Sequence, residues 1–137
     1  MLSFGITSIG KVGTSYSQNV KTLDEYYQRL DEGVLPVFRG IGLSGEDVLR
    51  RAVIQSLMCH FEVEFDSFDK DFGIDFSKHF AVELAELGEM ERAGLLRIEA
   101  RRIVVLSPGR MLVRAISMVF DAHLRANRPQ NRYSKVI

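Results

Sequence analysis

Cysteine is almost absent. Cys59 is the one thiol in 137 residues, so an internal disulfide is excluded and a reducing compartment fits. One cysteine cannot hold an iron–sulfur cluster or a structural zinc ion by itself. No run of about 18 apolar residues occurs, which excludes a helix that spans a membrane. The first residues lack a basic start followed by an apolar stretch, so no secretory leader is expected. No repeat of 20–50 residues is visible. Net charge is also missing, with 18 basic against 18 acidic residues. What is present is an ordinary globular balance, 46% hydrophobic and 26% charged, enough to build one core without staples.

The zero charge is unevenly placed. Residues 107–137 carry Arg110, Arg114, Arg125, Arg128, Arg132 and Lys135 against Asp121, a net of +5, which leaves −5 on residues 1–106. Such a basic end either holds an anionic partner or lies on acidic surface of its own protein.

Residues 2–9 alternate small and apolar side chains and predict a strand that runs into a glycine-rich loop near Gly13. A lone strand has no sheet to join, so the start reads as a piece cut from a longer chain. Thr22 and Glu25 form a capping box for a helix ending before Gly33, with Leu23, Tyr26, Tyr27 and Leu30 on one face. Residues 34–40 are an extended connector, because Leu35 precedes a proline. Ser44 to Asp47 cap a second helix to about residue 59, and residues 61–65 alternate as a short strand. The acidic run 66–71 holds a short helix that Gly73 ends.

Asp75 caps a helix over 76–93, with Phe76, Phe80, Leu84, Leu87 and Met90 as one buried stripe and Glu83, Glu86, Glu89 and Glu91 mostly off it. Residues 95–106 predict a hairpin. A final helix over 107–125 starts at Ser107-Pro108. The predicted fold is mainly α with a small β-hairpin, a winged-helix-like plan.

A winged helix would read DNA with the 76–93 helix. Its four glutamates against Lys78 and Arg92 would be repelled by phosphates, so no nucleic-acid partner is expected. His60, His79 and His123 lie in separate elements without zinc spacing, and Cys59 is expected to be a buried apolar residue. No phosphate loop, serine elbow or carboxylate pair stands out.

Several stretches together carry a resemblance. They are Gly5-Ile6-Thr7-Ser8-Ile9 followed by Tyr16-Ser17-Gln18-Asn19, the pair Tyr26-Tyr27, and Phe38-Arg39-Gly40. Further on come Arg50-Arg51-Ala52-Val53-Ile54, Cys59-His60-Phe61, Gly109 to Arg114, Met118 to Asp121, and the ending Arg132 to Ile137. In this order and at these spacings, the chain resembles the C-terminal region of the oxygen-independent coproporphyrinogen III oxidases, radical S-adenosylmethionine enzymes of haem biosynthesis. The resemblance covers essentially the whole chain.

The resemblance implies a partial α/β barrel whose mouth is covered by a mainly helical C-terminal domain. Family members bind a 4Fe-4S cluster through a Cys-x₃-Cys-x₂-Cys motif in the barrel, with S-adenosyl-L-methionine on the fourth iron. Two propionates of coproporphyrinogen III become vinyls with loss of carbon dioxide, giving protoporphyrinogen IX without oxygen. On that pattern residues 1–20 are the end of the barrel and residues 21–137 the winged-helix-like C-terminal domain. The cysteine motif is missing here, so this chain by itself is expected to hold neither cofactor and to be inactive. Its expected partners are its own N-terminal barrel and the substrate, with no membrane, in the cytoplasm.

One site residue carries over by motif: Ile9, whose backbone is expected to contact S-adenosylmethionine. The four carboxylates of the substrate make Arg39, Arg50, Arg51, Arg110 and Arg114 candidate partners by charge. A related haem chaperone and a free-standing winged-helix interaction module are the rival readings. The ending Tyr133 to Ile137 favours the oxidase over the chaperone, and the unpartnered strand 2–9 argues against the module.

Overall fold

The computed structural model describes residues 1–126. The chain divides into two compact units, Met1–Val48 and Leu49–Ile137.

The first unit is built on a three-stranded antiparallel sheet of β1 (Ile9–Val12), β2 (Ser15–Asn19) and β3 (Val37–Gly42), in that order, with α1 (Leu23–Asp31) between β2 and β3. The expected strand over residues 2–9 is therefore corrected. Gly5 at φ +96° and Thr7 at φ +57° break the extended path there. The turn is held by polar contacts, because Asn19 Nδ2 donates to the Gly5 carbonyl at 2.9 Å and to Ser8 Oγ at 3.0 Å. The strand begins only at Ile9, and it is not alone. Gly13 at φ +55° makes the tight turn that folds β1 back onto β2. The connector read over 34–40 becomes β3, which pairs with β2 across a bulge at Gln18/Asn19.

Helix α1 starts at the expected place, but Thr22 makes no side-chain cap bond. Glu25, its expected partner, pairs with Arg29 at 2.8 Å instead. Arg29 also donates to the Val37 carbonyl at 2.8 Å and so ties α1 to β3.

Helix α2 (Gly45–His60) starts at the end of the first unit and continues into the second from Leu49. It carries a completed capping box at its start: Asp47 N–H donates to Ser44 Oγ at 3.1 Å, and Ser44 N–H donates to Asp47 Oδ2 at 2.9 Å. Leu49, Val53 and Leu57 follow four apart and are buried. Cys59 is exposed, contrary to expectation, because it lies off that stripe in the last turn. Then come β4 (Glu62–Glu64), α3 (Phe65–Phe72), α4 (Phe76–His79), α5 (Ala81–Arg92), β5 (Leu96–Glu99) and β6 (Arg102–Val105). The predicted hairpin is present as β5 and β6. It is part of a larger sheet in the order β4-β6-β5, since Val63 of β4 pairs with Ile103.

The predicted 76–93 helix is interrupted. Phe80 leaves helical geometry (φ −104°, ψ 26°) where its ring meets Phe76 at 4.7 Å and Phe120 at 5.4 Å between centroids. Packing of aromatic rings overrides local periodicity at this point. Phe65 stacks on Phe76 at 4.3 Å and extends the same row.

The predicted 107–125 helix is three short ones, α6 (Ser107–Arg110), α7 (Val113–Met118) and α8 (Ala122–Ala126). The first break is at Leu112, which leaves helical geometry (φ −107°, ψ 12°). Within α6 the Gly109 backbone lies so close to Leu95, the residue before β5, that a Cβ there would run into the Leu95 carbonyl. Asp121 opens α8 by accepting from Leu124 N–H at 3.0 Å. No helix among the described residues is long and apolar enough to cross a membrane.

Candidate functional site

Strand register in the first unit brings together residues that are far apart in sequence. Gln18 faces Ile9 on one side and Arg39 on the other. Two residues along β2, Tyr16 faces Lys11 and Ile41. Side chains two apart share a face of a sheet, so these six form two adjacent cross-strand rows. Five of them, Ile9, Tyr16, Gln18, Arg39 and Ile41, line a cavity of about 420 Å³. Within the lining β3 comes close to β2: a Cβ at Gly40 would lie 3.1 Å from the Tyr16 carbonyl oxygen.

Ile9 is half-exposed, at 54%. Its neighbour Ser8 accepts from Asn19 N–H at 2.9 Å, which makes 8 and 19 a hydrogen-bonded antiparallel pair. Pairs alternate along such a ladder, so the N–H and C=O of Ile9 turn away from β2 toward the open edge of β1. The same edge is used at Lys11, whose N–H donates to the Met1 carbonyl at 2.8 Å. A polar ligand at that edge can take a backbone donor and an acceptor from one residue. The geometry at Ile9 thus fits S-adenosylmethionine, whose methionine end carries both kinds of group. It does not extend to an iron–sulfur cluster. The chain has one cysteine, and the described residues contain no group of three His, Cys, Asp or Glu able to hold a metal.

The candidate arginines separate. Arg39 lies in the cavity with Ile9, and its Nε donates to Gln18 Oε1 at 2.9 Å. Arg50 is turned inward, with Nη1 donating to Glu83 Oε1 at 2.8 Å and to the Phe120 carbonyl at 3.1 Å. Arg51 is half-buried on α2. Arg110 lies over the Phe61 ring at 4.8 Å. Arg114 lines a separate cavity of about 450 Å³ with Met58, Ser117 and Asp121, where the Ser117 hydroxyl is buried without a hydrogen-bond partner among the described residues.

Glu83 is what sequence reasoning missed. The helical period puts it off the buried stripe, yet it is 3% exposed and pairs with Arg50 and, at 3.2 Å, with Arg125. No local pattern signals this, because its partners come from α2 and α8. In contrast, the alternation around Gln18 is legible once the strands are paired.

Comparisons with known proteins agree with one another. The family model described as the HemN C-terminal domain matches residues 43–112. The oxygen-independent coproporphyrinogen III oxidase of Pseudomonas aeruginosa is 41% identical over 137 residues, all of this chain and 30% of that protein. That of Synechocystis is 41% identical over 141 aligned residues, again all of this chain and 30% of that protein. Among solved structures, coproporphyrinogen III oxidase (HemN) from Escherichia coli, titled a radical SAM enzyme, superposes with a TM-score of 0.84 at 36% identity. That match covers 88% of this chain and 28% of the other. The chain thus spans about 30% of the length of these curated relatives.

Proposed function

This chain belongs to the HemN C-terminal domain family, and from that premise we propose that it is the C-terminal region of an oxygen-independent coproporphyrinogen III oxidase. The observation that carries the reading is likeness along the whole chain, not within one motif. The whole protein then converts two propionates of coproporphyrinogen III to vinyls with loss of carbon dioxide, in the cytoplasm and without oxygen. S-adenosylmethionine and a 4Fe-4S cluster, bound in the whole protein, supply the radical chemistry. The part of this chain is to shape one wall of the site. Residues 1–20 continue the barrel, and residues 21–137 cover its mouth and keep water out. Ile9 offers its backbone N–H and C=O to the methionine end of the cofactor.

The test uses the full-length protein that contains this region, reconstituted anaerobically with iron and sulfide. Protoporphyrinogen IX and deoxyadenosine are expected from coproporphyrinogen III, and no turnover is expected from the isolated chain. Stoichiometric haem binding with no deoxyadenosine release would point instead to a haem chaperone. Ile9→Pro sharpens the site: it removes the outward N–H without breaking the β1–β2 ladder, and it should weaken S-adenosylmethionine binding.

A further inference from the structure

From the rows on the first unit's sheet we infer that Arg39, oriented by Gln18, is a carboxylate anchor, and that the carboxylate belongs to an apolar substrate lying across the face that Ile9 shares. The inference rests on the function proposed above and assigns a group that recognises the substrate.

The sign of the ligand follows from the six side chains. Ile9, Gln18, Arg39, Lys11, Tyr16 and Ile41 include two cations and no acid. The guanidinium is also presented in a defined way. Gln18 Oε1 takes the Nε–H at 2.9 Å, which leaves the two terminal amino groups for a second partner. Arg39 forms no ion pair with a carboxylate among the described residues. Two terminal amino groups side by side match the two oxygens of a carboxylate, the strongest common geometry for that pair. Beside it the walls are aliphatic and aromatic, at Ile9, Ile41 and Tyr16. A carboxylate carried on an apolar body satisfies both features. A free small anion would leave the apolar wall unused.

Distance separates this function from the one at Ile9. Arg39 is two strands from Ile9, roughly 10 Å at the usual inter-strand spacing. The outward backbone of Ile9 serves the edge of β1, while Arg39 serves the face near β3. Coproporphyrinogen III, an apolar macrocycle with carboxylates at its rim, has the reach to lie on the face while a second ligand holds the edge. The cofactor's own carboxylate is the other possible source of the same chemistry.

The experiment uses the full-length protein. Coproporphyrin III, the stable oxidised form with four free carboxylates, is titrated by fluorescence against wild type, Arg39→Met and Arg39→Lys. Its tetramethyl ester is the neutral control, and S-adenosylmethionine affinity is measured separately by equilibrium dialysis. Arg39→Met keeps the stem and removes the charge. It should weaken binding of the tetra-acid about tenfold or more, leave the ester unchanged, and leave S-adenosylmethionine affinity within twofold. Arg39→Lys should restore part of the loss, which local disorder would not allow. Loss of S-adenosylmethionine affinity with the tetra-acid unchanged would keep the anchor but assign it to the cofactor, overturning the substrate assignment. Equal affinity of Arg39→Met and wild type for both ligands would overturn the anchor itself. A wild-type protein that turns over no coproporphyrinogen refutes the parent reading, which is a separate result from any effect of Arg39.

Discussion

Arg50 on α2 and Glu83 on α5 are 33 positions apart in sequence, and their side chains meet at 2.8 Å inside the second unit. The Arg50 guanidinium also lies over the Phe80 ring at 5.2 Å, so one cation joins a buried carboxylate to the aromatic row. Arg125 reaches the same carboxylate from a more exposed position. The contact draws α2, α5 and the chain around Phe120 together through charge as well as apolar packing.

Breaking that pair from one side should be costly. Arg50→Met leaves Glu83 buried with the longer Arg125 contact alone, at 3.2 Å. We expect a loss of about 2–3 kcal/mol in urea unfolding, short of the cost of a fully uncompensated buried charge because Arg125 remains. Adding Glu83→Leu removes the weakened charge, so the double variant should lose less than the sum of the single ones. Strict additivity would mean that the pair does not couple.

Gly109→Ala should be severe for a steric reason. The obstacle to a methyl group is the Leu95 backbone, which cannot rotate aside. We expect about 3 kcal/mol or more of destabilisation, at the upper end for overpacking. Gly88→Ala is the control, since the nearest atom to a Cβ there is the flexible Arg92 guanidinium at 3.9 Å. It should be neutral or slightly stabilising in thermal melts.

The α5 stripe gives a graded test. Leu87 is fully buried, and Leu87→Ala should cost about 2–5 kcal/mol. Leu84, expected to be as deep, is only partly buried against the core, so Leu84→Ala should cost less, on the order of 1–2 kcal/mol. Equal losses in denaturant titration would mean that the helix is rotated from the orientation described.

Acid should loosen the region of α3 and α4. The Arg101 side chain, followed by the Phe76 N–H, holds the Asp69 carboxyl below the ordinary aspartate value. Lys78 does the same for Asp75, first through its side chain and then through its N–H. A carboxyl whose folded pKa is depressed contributes fully above the ordinary value of about 3.9 and loses that contribution as pH falls through the folded value. Stability should therefore hold above about pH 4–5 and decline below it. Asp69→Asn should flatten the decline, measured by urea unfolding from about pH 5 to about pH 2.5. An unchanged slope would show that Asp69 is not one of the titrating groups.

Sequence alone determined what depends on neighbours a few positions away. The Ser44–Asp47 box, the helix start at Phe76 and the β5–β6 turn are set by local hydrogen bonds and backbone preference, which the order of residue types reveals. The family resemblance was legible for a related reason, because spaced motifs survive in the chain itself. Tertiary structure decided the rest. It paired β3 with β2 and β4 with β6, interrupted the helix at Phe80, seated Gly109 on Leu95, buried Glu83 between two arginines, and set Arg39 beside Gln18 on the face of Ile9. Each of these contacts joins residues distant in sequence or is imposed by packing from outside the element. Local propensity is worth tenths of a kcal/mol per residue, and a buried ring, ion pair or backbone contact outweighs it.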